Sequence, residues 1–140
     1  MSTAGRIRWG RILLGGFLAE VAVLAVFFLV LAIAYLAGVP GLAAPMTPLD
    51  YVEALVGSFV SIFLFTLWVA RPLESRFVLH GLLVALVATL LFLVLWAATA
   101  GPITLQPVLY WVAHGLKFAG GVAGALAAAR RYSRSALHAV

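Results

Sequence analysis

Cysteine is absent from the 140 residues, which removes disulfides, thiolate metal sites and cysteine nucleophiles together. Charge is nearly as scarce. Asp, Glu, Lys and Arg make up 9% of the chain, where a soluble domain carries roughly a quarter. The acidic residues are only Glu20, Asp50, Glu53 and Glu74. Catalytic templates are missing as well: there is no GxSxG elbow, no phosphate-cradling glycine loop and no HExxH pair. No two metal ligands stand at i, i+4. The expectation is a protein that is not an enzyme and that holds neither metal nor cofactor.

Apolar residues fill the space that charge leaves. They make up 66% of the chain, and the mean hydropathy is +1.19. Four apolar runs, at 12–37, 52–70, 77–100 and 105–129, reach or nearly reach the ~20 residues that cross about 30 Å of hydrocarbon. In lipid each must be helical, because a helix satisfies its own backbone groups. Gly38, Pro40, Gly41, Pro45 and Pro48 punctuate the first break, Arg71-Pro72 the second, and Gly101-Pro102 and Pro107 the third. The expected fold is an all-α membrane protein, a single transmembrane domain over 1–140 built as a four-transmembrane-helix antiparallel bundle with short loops.

The formal charge of +5 and pI near 10.5 invite a nucleic-acid reading, which the positions of the charges oppose. Arg6, Arg8, Arg11, Arg71, Arg76, Arg130, Arg131 and Arg134 all flank apolar runs, as topology signals do. In a four-span hairpin they fall on one side, while the opposite loops hold Asp50 and Glu53 and no Lys or Arg. Both termini are therefore expected in the cytoplasm. The first run, at about 25 residues, exceeds a signal-peptide core of roughly 7–15, so an uncleaved span is expected despite the small residues at 41–44. Spans one and two share no motif with three and four, which leaves an inverted-repeat transporter architecture without support.

Two charges interrupt the apolar runs. Glu20 lies within the first span and Lys117 within the fourth, and ionisable groups inside hydrocarbon are costly enough to mark functional-site candidates. Counting about 1.5 Å per residue from the arginine edge puts Glu20 about 13 Å deep, Ser61 about 15 Å, Ser58, Thr89 and Lys117 about 20 Å, and His114 about 24 Å. These six form a candidate polar binding layer. With inward-facing stripes, Glu20 and Lys117 come within reach across an offset of about 6 Å. Pairing lowers the cost of burying either charge alone, and such a pair is either a structural staple that fixes helix register or a proton- or ion-responsive site in a polar cavity. His80, only about 6 Å deep, is mismatched with His114, which argues against a bis-histidine haem and leaves His80 as an interfacial residue.

Small residues form the other pattern. Gly120 and Gly124 make a GxxxG spacing that Gly121, Ala125 and Ala128 extend, and Gly15 and Gly16 smooth the first span. Such faces let helix backbones approach closely, inside one bundle or between copies.

The stretch Leu14-Gly15-Gly16-Phe17-Leu18-Ala19-Glu20-Val21 resembles the first helix of the small multidrug resistance transporters. That likeness implies a proton-binding carboxylate at Glu20, although a lysine deep in span four opposes the family's cationic substrates. The segments 68–81 and 114–121 resemble a group of uncharacterised bacterial four-span inner-membrane proteins, which implies a multi-pass inner-membrane location and no particular activity. Short loops, small-residue stripes and the lack of catalytic signatures favour an accessory or scaffold protein. It would act through helix contacts in the bilayer, as a homo-oligomer or within a larger membrane complex. The competing expectation is a small proton- or ion-coupled transporter or channel using Glu20 and Lys117, with His114 tuning protonation.

Overall fold

The computed structural model describes residues 7–39, 51–99 and 108–137. They are all helical apart from short turns. Helix α1 spans Trp9–Leu36, and a π-helical turn over Glu53–Gly57 runs straight into α2, Ser58–Ala70. Helix α3 spans Phe77–Thr99 and α4 spans Val108–Leu137. Three stretches, Trp9–Leu36, Phe77–Thr99 and Val108–Arg134, are long and apolar enough to cross a membrane. The second expected span is shorter. Its apolar segment Ala54–Ala70 covers roughly 25 Å at ~1.5 Å per residue, just under the usual ~30 Å. A membrane protein of helices is the outcome.

The boundaries have local causes. Helix α1 stops in a Schellman closure: Gly38 takes the left-handed conformation with φ 67°. Its N–H donates to Tyr35 O at 3.1 Å, and the Val39 N–H donates to Ala34 O at 3.1 Å. Glycine adopts that backbone shape without a Cβ penalty. Pro72 follows the last turn of α2, and Arg76, at φ 56°, turns the chain into α3. The expected last span also differs. Its helix continues through Arg130, Arg131 and Arg134 to Leu137, because alanines and arginines are good helix formers and no breaker intervenes. The loop prolines at 40, 45 and 48, the small residues at 41–44, Asp50, Gly101, Pro102, Pro107 and His138 lie outside the described residues. Glu53 belongs to the π-helical turn rather than to a loop.

His80, expected as an interfacial residue, is buried among the helices at their arginine-bearing end, 1% exposed. Its Nδ1 lies 2.9 Å from Arg76 O, and its Nε2 accepts the Arg8 N–H at 3.3 Å. That acceptor role puts the ring proton on Nδ1, which donates to Arg76 O. The imidazole therefore ties the start of α1 to the start of α3. Nearby, Arg11 donates from Nη2 to Trp68 O at 2.9 Å and stacks its guanidinium 4.6 Å above the Trp68 ring. Phe77 and Tyr132 meet with ring centroids 6.0 Å apart. These contacts gather the arginine-bearing ends of all four helices.

The core is made of small and branched side chains: Ile12, Ala19, Ile62, Val69, Val84, Ala85 and Ala88. Large apolar residues such as Phe28, Leu29, Leu64 and Val94 point outward, as lipid-facing positions do. Glycines set the helix spacing. A Cβ on Gly120 would stand 2.6 Å from Phe59 O, and one on Gly124 would stand 2.6 Å from Phe63 O. Gly81 and Gly121 abut each other's backbone, and Gly16 meets Val87 and Val84 O. Since backbone blocks these sites, Gly120→Val should lower unfolding stability in detergent by about 1–3 kcal/mol. Gly115, with nothing within 4 Å of a built Cβ, should accept Ala with no loss or a gain of up to about 1 kcal/mol. Thermal melts of the two variants check this.

Candidate functional site

The pieces of the site come from all four helices, with Phe92 the contribution of α3. Helix α1 supplies Glu20, one turn beyond Gly16, whose missing side chain lets α1 settle against α3. Helix α4 supplies Tyr110, His114 and Lys117, three- and four-residue steps along one face. Ser58 and Ala54 come from the start of α2 and its π-helical turn. That turn widens the helix by one residue per turn, a distortion that recurs at functional positions.

Lys117 Nζ donates to Glu20 Oε2 at 2.7 Å, with the side chains 2% and 5% exposed. This is a charge-assisted bond at the short end of the normal range. The ammonium also lies 4.9 Å from the centroid of the Phe92 ring, close enough for the ring quadrupole to contribute. Around it stands an aromatic group. Phe92 meets His114 edge-on at 5.2 Å and stacks with Tyr110 at 5.5 Å. Trp96 tilts against Tyr110 at 5.4 Å, and Trp111 meets His114 at 5.8 Å.

Beside the pair lies a cavity of about 90 Å³, lined by Glu20, Val23, Leu24, Phe27, Ala54, Ser58, Phe92, Tyr110, Ala113, His114 and Lys117. Its polar equipment is only partly used. Glu20 Oε1 and both ring nitrogens of His114 are buried without a hydrogen-bond partner among the described residues. Buried polar groups are normally satisfied, and these three unpartnered atoms belong to two residues that line one hollow. On its other side Glu20 borders an apolar groove between α1 and α3, lined by Phe17, Val21, Leu24, Leu91, Val94, Leu95 and Ala98.

Of the six residues of the sequence-based polar layer, Glu20, Ser58, His114 and Lys117 line the cavity. Ser61 is half-buried and Thr89 is buried with its hydroxyl unpartnered; neither belongs to the lining. Phe27, Phe92 and Ala54 were not foreseen. Helix α3 is almost uniformly apolar, so no periodicity singled out Phe92. The π-helical turn that places Ala54 has no breaker to announce it. Among the described residues no cluster of three or more His, Asp or Glu is arranged to hold a metal ion. No family model, curated protein or solved structure matches the chain.

An ion pair buried this deeply makes a sharp energetic statement. Removing one partner strands the other charge, at a cost of about 3–5 kcal/mol, whereas removing both replaces the pair by neutral groups. Glu20→Gln and Lys117→Met should therefore each destabilise the fold more than the double variant does. A double-mutant cycle on denaturant unfolding in detergent measures the coupling, and simple additivity of the two losses would contradict it.

Proposed function

We propose that the protein is a small ion- or proton-coupled transporter or channel, with Glu20 and Lys117 as its binding groups and His114 and Ser58 completing the polar wall. The single observation that carries this reading is the cavity. A pair serving only as a staple needs tight packing and full hydrogen bonding around it. Here a carboxylate oxygen and an imidazole of two lining residues have no partner among the described residues, beside a hollow of about 90 Å³, room for a few water-sized guests.

In this reading the helices form an antiparallel four-span bundle with both termini cytoplasmic. The gathering of Arg8, Arg11, Arg76 and Tyr132 at one end supports that arrangement through the positive-inside bias. A bacterial inner membrane is the setting that the likeness of segments 68–81 and 114–121 implies. The accessory or scaffold alternative leaned on the small-residue stripes. Those faces close on partners within the chain: Gly120 and Gly124 on α2, Gly121 on Gly81, and Gly16 on Val87. They are therefore spent inside the fold, and large apolar side chains face outward in their place.

Purified protein in liposomes, with internal dyes for pH, chloride and potassium, tests the proposal. Flux above that of protein-free vesicles is expected, reduced at least about tenfold by Glu20→Gln or Lys117→Met, as befits ionisable groups lining the path. Ser133→Ala, which removes an exposed hydroxyl that donates to Ala129 O at 3.1 Å, should leave it unchanged. Flux no higher than in empty vesicles would end the reading.

A further inference from the structure

The charge arithmetic of the site identifies what it takes. Resting on the transport reading above, we infer that the cavity binds one small monovalent anion together with one proton, the anion at Lys117 and the proton at Glu20. As it stands the site holds one ammonium and one carboxylate, joined at 2.7 Å and almost fully buried, so its net charge is zero. A cation entering alone would meet an ammonium already seated on the carboxylate. An anion entering alone would meet the carboxylate already seated on the ammonium. Either leaves the buried site with a net charge, which low-dielectric surroundings penalise heavily. One anion plus one proton leaves the total at zero.

The exchange is simple to write. A proton from water adds to the Glu20 carboxylate and makes it a neutral acid. The Lys117–Glu20 ion pair gives way to an ion pair between Lys117 and the anion. No covalent bond other than the new O–H forms, and the reverse sequence releases both guests. The wall suits such a guest. Glu20 Oε1, buried without a partner among the described residues, is the oxygen that takes the proton. His114, as a neutral ring, offers one N–H donor to the anion, and Ser58 stands in the same lining. The volume of about 90 Å³ admits chloride, nitrate or formate.

The groups facing Glu20 can be named from every helix packed on it. Helix α4 brings Lys117, His114 and Tyr110; the start of α2 brings the Ser58 hydroxyl; α3 brings Phe92, with no titratable group. Among the described side chains in the cavity lining, Lys117 is thus the one cationic group at the carboxylate. This balance separates the site from the small multidrug resistance transporters that the 14–21 stretch resembles, where the carboxylate awaits a cation.

Proton uptake on anion binding tests the inference apart from transport. Sodium nitrate added to the full chain in lightly buffered detergent should draw about one proton from solution per anion bound, by linkage. A pH dye reads this directly. Glu20→Gln should abolish the uptake while nitrate still binds, and Lys117→Met should abolish binding. In case Lys117→Met fails to fold, Glu20→Gln/Lys117→Met supplies a neutral site that should neither bind nor take up protons. Nitrate binding without proton uptake, or uptake that persists in Glu20→Gln, would overturn the inference. So would potassium or ammonium displacing nitrate as the bound species. In liposomes an inward nitrate gradient should acidify the lumen at a rate indifferent to a potassium–valinomycin potential. Flux without proton coupling sinks the pairing of guests and spares the transport reading. Proton-linked binding without flux does the reverse.

Discussion

A single contact, the Lys117–Glu20 ion pair, organises this protein. Placing an ammonium and a carboxylate among apolar helices is costly, and only their direct meeting makes both tolerable. That meeting requires α1 and α4 to hold a fixed register and to present one particular face each. Much of the remaining structure serves that geometry. Gly16 lets α1 lie against α3, Gly120 and Gly124 draw α4 onto α2, and the paired Gly81 and Gly121 bring α3 and α4 to backbone contact. Where lipid supplies no hydrophobic drive between helices, close backbone packing and interhelical polar bonds are what remain.

The two ends of the helix group differ in character. At the arginine end, His80 and Arg11 bond to backbone groups of neighbouring elements and tie the helices together firmly. Farther along, the aromatic side chains Phe92, Trp96, Tyr110 and Trp111 crowd around His114 and the ammonium. Rings packed edge and face leave gaps that aliphatic side chains would fill, and the cavity lies at that boundary. The arginine end is thus fastened through hydrogen bonds to backbone groups, and the other through packed rings.

Small faces and buried charges each had two readings at the level of the chain. A GxxxG spacing is the same string of letters whether it packs within a molecule or between copies. Coordinates separate the cases because the glycines have neighbours within the chain. The buried charges divide less cleanly, since a staple and a binding site both contain the pair. The transport reading proposed above rests on what surrounds it: Oε1 and an imidazole without partners among the described residues, and the adjoining space.

From the chain alone came the helical, lipid-soluble character, the approximate limits of the apolar helices, and the choice of Glu20, His114 and Lys117. Each follows from one-dimensional facts: run length, the cost of charge in hydrocarbon, and periodicity along one helix. Tertiary structure decided that the two charges touch, that Ser58 joins them while Ser61 and Thr89 do not, and that His80 is an internal tie. It also placed Phe92 beneath the ammonium and opened the helix at Glu53–Gly57. Those outcomes depend on relative helix rotation and on packing between residues far apart in sequence. A helix as uniformly apolar as α3 records its inward face only faintly, in His80 and Thr89.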